Sequence, residues 1–259
     1  MLGETERIEV KELVANNLRE LISIVYDLYP TGEYYLWYRG HLDESWDLIP
    51  SVQRGTYAKN EQHMAIDFYM RVSVALKDKP PSKYFPGWVA LMQHYGLPTR
   101  LLDWTKSLLV AAFFATYNYE SLKDKDGCIW VFRPAQLNEI EGLGKCICSM
   151  DSQVIWDLLA PVFDSKDEKE KAHDKIYACY PVEDNMRVYV QQSAFTVHNS
   201  KRRLLDIESD QLLTKIIIPY AAKEVIIKEL KICGITLKSI YPDAEHIAEE
   251  IKAFYHYGK

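Results

Sequence analysis

From Leu108 to Ala115 the chain reads LLVAAFFA, an apolar run with no polar interruption. At about half the roughly 18 residues that a membrane span needs, it has to be buried in protein. Ser107 to Tyr119 is read as a helix that is apolar nearly all round in its first half. A helix without a polar face is covered on several sides, so this one belongs at the centre of a domain. Thr105 is its expected N-cap. The rest of the chain can supply the cover: of 259 residues, 48% are hydrophobic and 26% charged, the balance of a globular protein. At that length a single core buries roughly three quarters of the unfolded surface. No Gly/Ser or Pro linker and no fixed-period repeat divides residues 1–259. The expected fold is one α+β domain, with a mixed or antiparallel split sheet and flanking helices.

Around that centre, Thr5 to Leu28 carries Val14, Leu18, Leu21, Val25 and Leu28 at helical spacing. Pro30-Thr31-Gly32 breaks it, and the aromatic Glu33 to Tyr38 reads as a strand. Asn60 to Leu76 and Trp88 to Tyr95 are predicted helices, Thr99 to Leu102 and Cys128 to Phe132 predicted strands. Asp164 to Lys175, without apolar period, is expected to be solvated. Arg187 to Val190, Ala194 to Val197 and Leu213 to Pro219 read as strand material. The C-terminal segment 213–258 ends in a helix (Lys223 to Ile232), an extended Thr236 to Tyr241, and a helix burying Ile247, Ile251 and Phe254 before Gly258.

Charge and cysteines narrow the function classes. With 31 basic and 37 acidic residues the net charge is −6, which argues against non-specific nucleic-acid binding. The first twenty residues are charged and lack an apolar core, so neither a secretory signal nor a membrane is expected, and the cytoplasm is the expected location. Cys128, Cys146, Cys148, Cys179 and Cys233 show no zinc or redox spacing and read as free thiols. The seven histidines include no pair at i, i+4. No metal is expected.

Three polar constellations remain. Trp37-Tyr38-Arg39-Gly40 places an arginine at the end of an aromatic strand. Its guanidinium must pair with an internal carboxylate or meet a phosphate or carboxylate ligand, and Gly40 lets a ligand or another backbone come close. The stretch from Gln93 through His94, Thr99, Arg100 and Asp103 to Thr105 (QHYGLPTRLLDWT) sets six polar side chains directly before the apolar helix. Arg100 with Asp103 can form an ion pair, and Thr105 can cap the helix. That leaves Gln93, His94 and Thr99 to line a pocket. Gln191-Gln192 follows the Arg187 strand and can either recognise an amide or ribose or merely end an edge strand.

Together these segments resemble the FRG domain, a mostly bacterial family named after a Phe-Arg-Gly motif. Here the motif reads Tyr38-Arg39-Gly40, QHYGLPTRLLDWT is a near-complete match, and Gln191-Gln192-Ser193-Ala194-Phe195 stands for Gln-Gln-Gly-x-Phe. The resemblance spans residues 37–195, and the family's name describes a motif rather than an activity. A weaker resemblance is to the ADP-ribosyltransferase superfamily. It implies a nucleotide-type ligand, NAD, with Arg39, Gly40, Gln93, His94, Thr99, Arg100, Thr105 and Gln191 binding it. Arg39, Gln192 and Asp103 would be the catalytic set of a transferase or NAD glycohydrolase, acting as a toxin or antiphage effector. The superfamily's last motif carries a Glu, and none lies between Asn185 and Ile207. A Gln there keeps a hydrogen bond and loses a charge, a loss of roughly 10²–10³ in rate. Glu44, Asp103 or Glu61 would have to supply the acid. The alternative is a non-catalytic domain that senses a nucleotide or another small anion. The acceptor, protein or nucleic acid, is not legible.

Two geometric expectations follow. Arg39, Arg100 and Gln192 should converge on one cleft, because isolated buried polar groups are disfavoured. Asp103 should be structural, satisfied by Arg100 or by the free N–H groups at the helix start.

Overall fold

The structure is a computed structural model that describes residues 11–28, 35–163, 174–182, 186–209 and 211–256. Its strands are β1 (Lys11–Val14), β2 (Trp37–His41), β3 (Leu101–Thr105), β4 (Gly127–Phe132), β5 (Cys148–Ser149), β6 (Lys175–Tyr180), β7 (Ser193–Asn199) and β8 (Leu213–Ile218). The helices are α1 (Leu18–Leu28), α2 (Glu61–Ala75), α3 (Phe85–His94), α4 (Leu108–Thr116), α5 (Pro134–Ile140), α6 (Gln153–Leu159), α7 (Met186–Val190), α8 (Tyr220–Ile232), α9 (Leu237–Ile240) and α10 (Ala244–His256). All eight strands form one open mixed sheet in the order β1-β8-β4-β2-β3-β7-β6-β5. Among the described residues only the β1–β8 and β5–β6 pairs are parallel.

β4 and β8 (GCIWVF and LTKIII) are rich in β-branched and aromatic residues, as buried central strands require. α4 lies against β2, β4 and α8, with six of its residues buried from Val110 to Thr116. Its N-cap is Ser107, whose Oγ accepts the Val110 N–H at 3.4 Å. The helix sits so close to β2 that a Cβ on Gly40 would fall 2.0 Å from the Ala111 carbonyl oxygen. The backbone that Gly40 admits is therefore that of α4.

Strand alternation assigns the packing layers. Tyr38 and its neighbours pack under α1, α4 and α8, while Leu101 packs under α2, α3 and α6 on the same face. Trp37, Trp104, Trp130 and Phe132 fill the opposite face against Leu48, Leu137 and Leu204. The two helical layers meet where β2 and β3 share a single registered pair, Tyr38↔Thr105. On either side the ladders are long, from Trp37↔Phe132 to His41↔Cys128 and from Leu101↔Val197 to Thr105↔Ser193. The sheet stays continuous there, but its pairing is thinnest at that point.

Several segments differ from expectation. The helix expected over 5–28 begins only at Leu18, and Lys11–Val14 is an edge strand beside β8. The boundary is a cap: Asn17 Oδ1 accepts the Glu20 N–H at 2.8 Å, and the Glu20 carboxylate accepts the Asn16 N–H at 2.8 Å. β3 lies later than Thr99 to Leu102, so Thr105 ends a strand instead of capping a helix. Arg187–Val190 is helical, turning into β7 through Gln192 at φ +48°. Leu237–Ile240 is helical too, because Thr236 and Ser239 form a capping box. Ile247 and Ile251 of α10 are 39% and 54% exposed, since that helix packs on α9 and not on the sheet. Pro30-Thr31-Gly32, residues 164–173, the Phe254 side chain and Gly258 lie outside the described residues. All five cysteines are free thiols.

Candidate functional site

Arg39 leaves β2 on the Trp37 and His41 side, and its guanidinium occupies the gap where β2 and β3 part. Nη1 donates to the Asp103 carbonyl at 2.6 Å, and Nε donates to His41 Nε2 at 2.9 Å. Among the described residues the closest carboxylate oxygen, Asp103 Oδ2, stands 3.8 Å away, and the Arg39 side chain is only 19% exposed. Burial pushes its pKa down, against the pull of Asp103. Burial, and then the charge of Arg39, also holds His41 at about 3, so the imidazole is neutral and can accept. His198 on β7 is likewise held at about 3 by burial and then by Arg39, and shares the Thr196 hydroxyl with Trp104.

Asp103 projects into a cleft of about 250 Å³ at this gap. Its carboxylate, 54% exposed, accepts from Gln93 Nε2 at 2.8 Å. Gln93 Oε1 in turn accepts from the Thr99 hydroxyl at 2.5 Å, and that hydroxyl accepts the Leu101 N–H. The chain Thr99–Gln93–Asp103 fixes which way the amide faces. The partners expected for Asp103 are not used: Arg100 turns elsewhere, and Ser107 caps the helix.

The opposite wall is Arg187, Gln191 and Tyr241, with Phe114 beside them. Arg187 lies over the Tyr241 ring at 4.7 Å, and Gln191 Nε2 donates to the Ile240 carbonyl at 3.1 Å. Thr105 Oγ1 donates to the Gln191 carbonyl at 2.7 Å and accepts the Ser107 N–H at 3.0 Å.

Of the residues singled out from sequence, Arg39, Gly40, Gln93, Asp103, Thr105 and Gln191 line this cleft. Arg100 does not, and convergence of Arg39, Arg100 and Gln192 is corrected. Nε and Nη2 of Arg100 grip Glu61 at 2.9 and 2.7 Å, and Nη1 donates to the Leu158 carbonyl and to Asn199 Oδ1. Gln192 is exposed at its turn, where its carbonyl accepts the Lys106 N–H and its N–H donates to the Tyr189 carbonyl. His94 is exposed against Tyr95, and Thr99 is buried behind Gln93. Glu61 is taken by Arg100 and Glu44 by Lys215, which leaves Asp103 as the one of the three candidate acids in the cleft. Sequence reading missed Phe114, hidden in an apolar run, and Tyr241, which nothing local marks. Arg187 was legible as a residue, but its supposed strand gave no direction.

Among the described residues no group of three His, Cys, Asp or Glu is placed to hold a metal ion, and no helix is long and apolar enough to cross a membrane. A family model for the FRG domain matches residues 35–124, which hold β2, α2, α3, β3 and α4. Arg187, Gln191 and Tyr241 lie beyond that match. No curated protein and no solved structure matches the chain.

Proposed function

We propose that this chain, which carries an FRG domain, binds NAD or a closely related nucleotide in the cleft at the β2–β3 gap. The observation that carries this reading is Arg39, a largely buried guanidinium facing the cleft with no carboxylate of the described residues closer than 3.8 Å. A cation so placed is short of one anion, and its planar fork matches phosphate. Arg187 adds a second positive charge against the single negative charge of Asp103, so the lining favours an anion. The amides of Gln93 and Gln191 and the Thr105 hydroxyl suit ribose. A volume of about 250 Å³ accepts one nucleotide-sized portion of a ligand.

Asp103 supports a catalytic role for the same site. NAD, when bound, supplies a glycosidic bond whose cleavage leaves positive charge on the ribose ring. Asp103, oriented by Gln93, is the carboxylate available to stabilise that charge and accept from the 2′-hydroxyl. It does so from the second motif, where the superfamily uses the third. Such an activity belongs to an NAD glycohydrolase or an ADP-ribosyltransferase, and fits a toxin or antiphage effector.

The test pairs calorimetric titration of ADP-ribose with an assay of nicotinamide release from NAD. Arg39→Ala should weaken binding at least tenfold. Asp103→Asn should keep binding and lose release. Unchanged binding by folded Arg39→Ala would sink the reading, whereas binding without release by the wild-type protein would make the domain a sensor.

A further inference from the structure

Arg39 and His41 stand two positions apart on β2, so both side chains leave the strand on the same face. The Arg39 Nε–H donates to His41 Nε2 at 2.9 Å. A guanidinium has donors and no acceptor, so Nε2 must present its lone pair, and the imidazole is neutral with its proton on Nδ1. The ring itself is fixed. It is 2% exposed, its backbone is registered against Cys128 of β4, and Trp46 packs beside it with centroids 5.9 Å apart. Burial first, and the charge of Arg39 second, hold the group at about 3, in keeping with the neutral form.

Arg100 shows the alternative. There the acceptor is a carboxylate: Glu61 takes Nε at 2.9 Å and Nη2 at 2.7 Å, and the charge is cancelled where it stands. At Arg39 the same Nε edge meets a neutral nitrogen, and Nη1 meets the Asp103 carbonyl at 2.6 Å. Both bonds orient the planar fork, and neither neutralises it. After burial and Asp103, the next charge bearing on Arg39 is that of Arg54, which is also positive. Among the described residues no acceptor is bonded to Nη2, and the guanidinium borders the cleft.

We propose that His41 is a positioning residue of the cleft: it aims the Arg39 guanidinium through a neutral hydrogen bond and so leaves the positive charge for the ligand. A carboxylate at position 41 would hold the arginine as firmly and quench the site. An apolar side chain there would spare the charge and lose its direction. The anion addressed is the phosphate of the proposed nucleotide, so the proposal rests on that reading, whereas the tautomer of His41 stands apart from it.

The experiment uses the full chain. Nitrogen-15 NMR of the imidazoles, with the His41 signals identified by their loss in His41→Gln, should show a neutral ring protonated at Nδ1 at pH 7. A ring protonated at Nε2, or an imidazolium, overturns the proposal. Calorimetry then titrates ADP-ribose and, separately, inorganic pyrophosphate. His41→Leu should weaken both by about tenfold or more. His41→Gln should rescue affinity to within about threefold of wild type, because its Oε1 is a neutral acceptor as many bonds from the backbone as Nε2. His41→Glu should lose about tenfold or more while melting no lower than His41→Gln, an outcome that lost packing alone does not produce. Either the Leu or the Glu variant carries the comparison if the other does not fold. Folded His41→Leu or His41→Glu binding within about threefold of wild type overturns the proposal, as does His41→Gln binding as weakly as His41→Leu. Pyrophosphate binding without ADP-ribose binding removes the nucleotide reading and leaves His41 to be judged on pyrophosphate. A wild-type protein that binds neither overturns both.

Discussion

Arg100 and Arg39 flank the same strand, β3, and the two regions around them use a guanidinium in opposite ways. At the Arg100 end, two nitrogens grip one carboxylate of Glu61, and the third finds a carbonyl and an amide oxygen. Nothing is left over for a ligand. In the gap between β2 and β3, Arg39 has a neutral imidazole, a carbonyl and a carboxylate held at a distance. Burial is similar, with side chains 11% and 19% exposed. Saturation is what separates them: a buried cation fully matched by the fold holds α2 in place, and one left partly unmatched points to what binds there.

The comparison predicts a ranking of stability effects. Arg100→Ala strands Glu61 at 15% exposure and should cost about 3–5 kcal/mol in urea denaturation; a loss below about 1 kcal/mol would break the contrast at its structural end. Acid should act next, and on the Arg39 region. His41 and His198 titrate near 3 when folded against 6.5 ordinarily, so between those values the unfolded chain binds more protons. Stability is then complete above pH 6.5 and falls as the pH drops, by about 2 kcal/mol per histidine on reaching pH 5. His41→Gln, measured alongside, should make that decline shallower, and an identical slope would remove His41 from the account. Arg39→Ala should be milder, about 1 kcal/mol, because it deletes a desolvated charge along with two hydrogen bonds. Smallest of all, Asp103→Asn should shift stability by less than about 0.5 kcal/mol, since the carboxylate is 54% exposed and Gln93 can still donate to the amide oxygen. A thermal melt showing a drop of several degrees would return Asp103 to the structural role that its local sequence suggested.

That suggestion shows where sequence reading reached its limit. The buried α4, the mixed α+β fold and the free thiols are legible because each rests on composition, short-range periodicity or residue spacing. The edge strand β1 and the short helices α7 and α9 are not, because a few residues of ambiguous propensity take the conformation that their neighbours complete. Arg187–Val190 alternates like a strand, yet it packs on α9 and β7 as a helix.

By itself, the sequence determined that a polar motif adjoins an apolar helix, that Arg39 emerges beside a glycine, and that no glutamate stands in the third motif. Only the tertiary structure decided which polar groups satisfy one another. Glu61 lies 39 positions before Arg100, and Tyr241 lies 54 after Arg187, so no local pattern marks either pair. The physical reason is that a buried charge takes whichever partner the packing delivers. Sequence shows which groups need partners, and the fold alone shows which of them go without.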